Sequence, residues 1–256
     1  MKIFVCIKQV PDTETRIKIA QEGNGIVTEG IKYVVNPYDE FALEEAIRIK
    51  EQNPGSEVTV VTVGPERARE ALRSCLAVGA DKAVLLRDDS GSLDNLAVAW
   101  VLSRHMSDRG PDLIFTGLQA VDDNMAQVGG SIAAFLKLDF VAGIVKIDVG
   151  KAEAVVSREA EGGVEVIRTS LPAVFSAQKG LNEPRYPSLM GTMQAKKKPI
   201  EEIEAGSLLK DITPSRIKTL RMFYPPERPA GRILSGEPPE VVSELVRCLR
   251  EEVKLL

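Results

Sequence analysis

Apolar and polar positions along the chain follow two periods that alternate. KIFVCI (2–7) is a near-continuous apolar run, read as a buried strand, with Pro11 marking the turn after it. TRIKI (15–19) reads as a short strand or hairpin arm. PYDEFALEEAIRIKEQ (37–52) changes to helical spacing, with Leu43, Ala46 and Ile47 on one face and Pro37 at its start. EVTVVTV (57–63) is rich in Val and Thr, as a parallel strand should be. Gly64 and Pro65 turn the chain, and Ala68, Leu72, Cys75 and Leu76 mark a second helix ended by Gly79. KAVLLR (82–87) is a strand, residues 92–110 a helix, and DLIFTG (112–117) a fourth strand. Asn124 to Lys137 predicts a further helix with Met125, Val128, Ile132 and Phe135 on one face. This alternation of strands and helices with short connections predicts an α/β fold with a doubly wound, mostly parallel sheet.

After Leu138 the pattern changes. Residues 140–149, 151–160 and 163–171 are extended pieces, the last two forming a hairpin across EGG. PAVFSAQ (172–178) is a fifth apolar strand, so a β-hairpin excursion at about 141–170 interrupts the α/β core. Two parts are expected: a nucleotide-binding α/β domain over 1–180, and a recognition loop with an extended C-terminal arm over 181–256. The second part has proline-rich stretches and a last amphipathic helix in EVVSELVRCLREEV. A long segment of this kind suits packing on a partner.

Composition removes several classes of function. The formal net charge of −4 argues against non-specific nucleic-acid binding. No stretch reaches the length of a membrane span, and the N-terminus lacks the longer apolar region of a signal peptide. Three cysteines, Cys6, Cys75 and Cys248, lie far apart without metal-ligand spacing and read as reduced core thiols. A cytoplasmic location is expected. With one histidine, His105, which is expected to pack or cap, histidine-based metal sites and most hydrolytic triads lose their material.

Candidate chemistry centres on GLQAVDDNMAQVGG (117–130). Asn124 and Gln127 have the spacing of a capping box, which would leave the amides of Met125, Ala126 and Gln127 to hold a phosphate. A capped helix without a ligand is the plainer reading. Gly117 stands at a strand exit, where a side chain could block a ligand, and Gly129 and Gly130 permit close helix packing. No Walker or Rossmann fingerprint is present. Asp122 and Asp123 suit ribose hydroxyls or backbone amides better than acid–base work, because adjacent residues at a helix start rarely point together. Asn36, Pro37, Tyr38 and Asp39 form a second polar turn into a helix. Arg158 suits an exposed cross-strand ion pair, and AKKKP (195–199) a solvated surface. The loops follow strands at one edge of the sheet, where ligand clefts form.

Several stretches together resemble the β subunit of electron transfer flavoproteins. They are CIKQVPDT, NPYDEFALEEAIRIKE, GPERAREALRSCLAVGAD, GLQAVDDNMAQVG, VSREAEGGVEVIRTSLPAVFSA and LNEPRYPSLMGTMQAKKKP, and they cover nearly the whole chain. The resemblance implies an adenine-nucleotide hydrolase-like fold and pairing with an α subunit that holds most of a redox-active FAD. It also implies an AMP buried in β, replaced by a second FAD in electron-bifurcating members. Electrons would come from acyl-CoA or other flavin dehydrogenases and leave for a quinone oxidoreductase or another acceptor, as in fatty acid oxidation, with no independent catalytic site in β and at most peripheral membrane contact.

Carried onto matching positions, the nucleotide contacts fall on Cys6, Asn36, Pro37, Tyr38, Asp39 and Val63. They continue over Gly117, Leu118, Gln119, Ala120, Val121, Asp122, Asp123, Asn124, Met125, Ala126, Gln127 and Val128. Thr13 and Glu159 would face the flavin. Asn182, Glu183, Pro184, Arg185, Tyr186, Leu189 and Met193 would bind the partner dehydrogenase, with Leu189 inserted into it. Asp122-Asp123-Asn124-Met125 lacks the glycine and threonine of the bifurcating pattern, whereas Thr13 resembles that branch. Gln194 replaces a lysine of many conventional members. A regulatory nucleotide-binding module without flavin is the rival reading. An ATP-using ligase or pyrophosphatase lacks its phosphate loop after the first strand.

Overall fold

The Val-, Ile- and Thr-rich runs pair into a nine-stranded sheet in the computed structural model, which describes residues 1–210, 215–227 and 230–255. β1 (Lys2–Cys6) lies inside it, parallel to β4 (Glu57–Gly64) on one side and β6 (Leu113–Gly117) on the other. From β1 the chain runs through α1 (Pro37–Gln52) to β4, then through α2 (Arg69–Val78) to β5 (Lys82–Arg87), stepping outward. It crosses back through α3 (Asn95–Ser107) to β6, on the opposite flank of β1. The direction of winding therefore reverses between β1 and β6, which is where open α/β sheets form ligand crevices. β10 (Ala173–Ala177) and β7 (Asp139–Val149) extend the parallel part past β6. β8 (Glu153–Ala160) and β9 (Gly163–Ser170) add an antiparallel hairpin. A separate small sheet pairs β2 (Gln9–Pro11) with β3 (Tyr33–Val35).

Strand alternation sorts the core into two layers. Ile3, Val5, Val60 and Phe115 face Leu43, Ile47 and Leu72 of α1 and α2. Phe4, Cys6, Val61 and Ile114 face Leu102 and Met106 of α3 and Ile132 of α4 (Val128–Leu136). Both faces are covered, so the central strands read as continuous apolar runs. The fold is a doubly wound, mostly parallel α/β sheet.

The structure departs from expectation at several points. The helix expected from Asn124 begins at Val128, with Gln127 as N-cap and no side-chain cap. The capping box does not form because Asp123 Oδ1 accepts the Met125 N–H at 3.0 Å, and Asn124 and Ala126 take left-handed conformations (φ 52°). TRIKI forms only a single bridge, Ile19 to Ile26. Past residue 180, α5 (Leu189–Lys197) packs on α2, and β11 (Glu201–Glu204) pairs with β5 as an edge strand. Part of the segment expected to form the arm thus belongs to the sheet. The arm's residues 211–214, 228, 229 and 256 lie outside the described residues.

Cys6 and Cys75 are buried as expected, but Cys248 is not a core thiol. It follows α6 (Pro238–Arg247), none of whose residues is buried, and its Sγ lies among Glu244, Glu252 and Arg232. His105 is buried in α3, where burial and the nearby Arg109 lower its pKa to about 4 and keep it neutral. No helix among the described residues is long and apolar enough to cross a membrane.

The close approach expected at Gly129 is present. A Cβ there would lie 2.8 Å from Thr116 Oγ1 and 3.2 Å from the Phe140 ring. Gly129→Val should therefore cost about 1–3 kcal/mol through overpacking, read as a lower urea midpoint. An unchanged midpoint would show that α4 can shift away from β6 freely.

Candidate functional site

The carboxyl ends of β1, β4 and β6 surround a cavity of about 130 Å³ at the point where the winding reverses. Cys6, Asn36, Asp39 and Val63 line it, as do residues 117–120, Asp123 and residues 126–128. Residues from four separate stretches predicted to share a site thus converge. Val98 and Leu102 of α3 add an apolar wall, and Thr116 and Gly129 close the side toward α4. The first backbone amides of α4 have no intrahelical partner and belong to this rim.

Other predicted residues lie elsewhere. Pro37 and Tyr38 open α1 without lining the cavity. Val121, Asp122 and Thr13 line a neighbouring opening, and Met125 another. Asn124 Oδ1 accepts from Gln119 Nε2 at 3.1 Å. Glu159 is exposed on β8, opposite Val164 of β9. Its neighbour Arg158 pairs across the strands with Glu165 at 2.6 Å.

One buried carboxylate organises the site. Asp39 Oδ2 accepts the Lys8 N–H at 2.7 Å, and Oδ1 accepts the Gly117 N–H at 3.0 Å and Asn36 Nδ2 at 2.9 Å. Asn36 extends the network: its Nδ2 donates to the Gln119 carbonyl at 2.9 Å, and its Oδ1 accepts the Val121 N–H at 3.1 Å. Burial pushes Asp39 up to about 7, against the N–H donors, which favour the charged form. The Cys6 thiol is raised far above its ordinary value by burial and by Asp39, so it stays protonated. Gly117 is required by the same network. A Cβ there would lie 2.3 Å from Asp39 Oδ1 and 2.7 Å from Tyr38 Cβ. The side chain expected to block a ligand would instead strike α1.

Sequence reasoning missed Lys8. Its ammonium bonds Asp122 Oδ1 at 2.8 Å and Asp123 Oδ2 at 3.0 Å, reaching from the end of β1 to the loop after β6. Asn95, also missed, approaches Asp123 Oδ2 at 3.5 Å. A lysine just after a buried strand has no local signature, and its carboxylates lie more than a hundred residues away.

The predicted partner-binding segment divides into anchors and exposed apolar groups. Arg185 grips the buried Glu44 of α1 through Nε at 2.8 Å and Nη2 at 3.1 Å, and reaches Glu51 at 2.6 Å. Asn182 Nδ2 donates to the Phe41 carbonyl and to Glu45, each at 2.9 Å. The Glu183 carbonyl accepts from Arg48 at 3.3 Å, and Pro184 is half-buried. Beyond these anchors Tyr186, Leu189 and Met193 are 94%, 89% and 68% exposed, so their apolar surface is unspent within the chain.

The Electron transfer flavoprotein domain family matches residues 24–208. The chain is 44% identical to the electron transfer flavoprotein subunit beta of Bacillus subtilis, over the full length of both. It is 36% identical to that of Mus musculus, over 98% of this chain and 97% of the relative. It is 40% identical to the caffeyl-CoA reductase-Etf complex subunit CarD of Acetobacterium woodii, over 98% of this chain and 99% of the relative.

The chain belongs to the electron transfer flavoprotein beta-subunit family. Its general role is electron transfer, as an electron transfer flavoprotein β subunit.

The raised Asp39 makes the stability of this flavoprotein subunit depend on pH. The folded state holds a proton on Asp39 up to about 7, whereas an unfolded aspartate releases it near the usual value of about 3.9. The contribution is therefore fully present below the unfolded value and is lost as pH rises through about 7. Urea midpoints of the wild type should fall, relative to those of Asp39→Asn, between these two values. Parallel midpoint profiles would remove the assignment.

Proposed function

We propose that this chain is the β subunit of a heterodimeric electron transfer flavoprotein that buries AMP in its cavity and closes over a FAD held mainly by an α subunit. The observation that carries the reading is the cavity at the winding reversal, lined by residues from each of the stretches matched to the family's nucleotide contacts. Its chemistry suits an adenine nucleotide. Cys6, Val63, Val98 and Leu102 offer apolar surface to a base, and the amides at the start of α4 suit a phosphate. The cavity is smaller than the roughly 300–1,000 Å³ of common ligand sites. A mononucleotide would fill it and spill into the adjoining opening that shares Asn95, Asp123 and Gln127. These features fit the adenine-nucleotide hydrolase-like variant of the fold.

A second FAD in place of AMP is the alternative, with this chain then acting in electron bifurcation. Thr13, within the stretch that resembles the bifurcating branch, favours it. The absence of the Gly–Thr pair at Asp122-Asp123-Asn124-Met125 and the small cavity favour AMP.

The C-terminal arm is the surface for the α subunit. Ile217, Leu220, Phe223 and Tyr224 are exposed, and α6 presents Val242, Leu245 and Val246 without a covering layer. Exposed apolar groups of this number suit an obligate interface. Thr13 and Glu159 would face the shared flavin. Leu189, raised on the Arg185–Glu44 anchor, would enter a pocket of an acyl-CoA or other flavin dehydrogenase, and a quinone oxidoreductase or another acceptor would take the electrons. The cytoplasm is the expected compartment.

Denaturing the purified assembly and quantifying released nucleotides tests the cofactor reading. Co-purification of an α subunit with equal amounts of FAD and AMP is expected. FAD alone at twice the heterodimer concentration would select the second-flavin reading, and a stable monomer without adenine nucleotide would reject both. For partner docking, Leu189→Ala should lower kcat/KM for electron transfer from the donor dehydrogenase by about tenfold, with flavin content unchanged. An unaltered rate constant would remove Leu189 from the docking surface.

A further inference from the structure

We infer that Lys8 is an exchangeable counter-ion for the nucleotide phosphate, leaving Asp122 and Asp123 when the phosphate enters. The inference rests on reading the cavity as a nucleotide site. Among the described residues that line the cavity, Lys8 is the one cation. Its main chain is fixed, since its N–H is bonded to the buried Asp39. Its side chain is a flexible stem with a three-donor head, so the charge can move while the backbone stays in place.

The present partners are open to water. The Lys8 side chain is 41% exposed, and the Asp122 and Asp123 side chains are 29% and 33% exposed. Ion pairs open to water contribute little net free energy and exchange readily. Asp123 also accepts the Met125 N–H and approaches Asn95, so it keeps partners when Lys8 departs. A phosphate carries up to two charges and three strong acceptor oxygens, and outcompetes a carboxylate for an ammonium.

Position supports the exchange. Lys8, Val63 and Asp123 form the wall between the cavity and a neighbouring groove of about 500 Å³. Swinging the ammonium off the aspartates brings it toward either space without backbone movement. The charged groups facing it are Asp122 and Asp123 from the loop and the buried Asp39, while Arg67 also lines the groove. The two exposed aspartates therefore act as competitors. They hold Lys8 when the site is empty and repel the phosphate when it is filled.

The test uses the chain purified in the assembly it forms in cells, freed of nucleotide, with AMP and adenosine as calorimetric probes. Lys8→Gln should weaken AMP about tenfold and change adenosine by less than about twofold, and Lys8→Arg should retain AMP. Asp122→Asn should tighten AMP about threefold by removing a competing charge. The inference falls if Lys8→Gln weakens AMP and adenosine equally, because the bridge is then a structural strap. It falls also if Asp122→Asn weakens AMP as Lys8→Gln does. A wild type that binds both probes, with no loss of AMP in Lys8→Gln, overturns the counter-ion role alone. A wild type that binds neither probe overturns the nucleotide reading and the counter-ion role together.

Discussion

The Asp39 carboxylate joins the three elements that meet where the sheet reverses its winding. It accepts the N–H groups of Lys8, after β1, and Gly117, at the end of β6, from its seat in the first turn of α1. Each N–H points away from the ladder at a strand exit and would otherwise need water. A single side chain of about 5% exposure satisfies both, so the ends of two parallel strands are held at a fixed separation. A carboxylate at a helix N-terminus also interacts favourably with the helix dipole, which offsets part of its burial cost. Asn36 carries the constraint outward to Gln119 and Val121. The loop that rims the cavity is thus positioned from α1, a helix more than seventy residues earlier in the chain.

This rigid rim contrasts with the surfaces left uncovered. The sheet buries its strands on both faces, yet α6 buries none of its residues, and the arm before it exposes a run of aliphatic and aromatic groups. The arm touches the body through a few polar bonds, such as the Met222 N–H to the Gly23 carbonyl and the Tyr224 hydroxyl accepting the Ile19 N–H. Bonds of this kind fix a direction but contribute little stability. That apolar surface is left uncovered among the described residues, whereas the cavity is lined by side chains from several elements of the sheet domain.

What was legible in the sequence followed from local periodicity. The helix over 37–52 and the strand over 82–87 fall where spacing placed them, because their apolar stripes match the layers they face. The grouping of Asn36, Asp39 and residues 117–128 around one site was read from loops at one sheet edge and from family resemblance, and the structure joins Asn36, Asp39, Gly117, Gln119 and Val121 in one network. The start of α4 was misread because Asn124 and Gln127 have cap spacing, while Asp123 makes a competing turn to Met125. β11 escaped because EEIE lacks strand composition and gains its pairing only from β5. Lys8 and Asn95 escaped because their partners are set by topology, which no local pattern encodes.

The same physics decides what kind of work the cavity can do. Its thiol, Cys6, is held protonated by burial and by the neighbouring carboxylate, so it is a poor nucleophile. The histidine, His105, is buried and neutral in α3 and does not line the cavity. Asp39 is committed to the backbone N–H groups at both strand exits. Gly117 is small because α1 crowds it, so its lack of a side chain reports on the Asp39 clamp. The groups that remain adjustable are the exposed ones, Lys8 with Asp122 and Asp123. Under the proposed reading, an apolar pocket with a movable charge at its wall suits a small anion held in place, and electron transfer asks a cofactor-holding subunit for fixed positions.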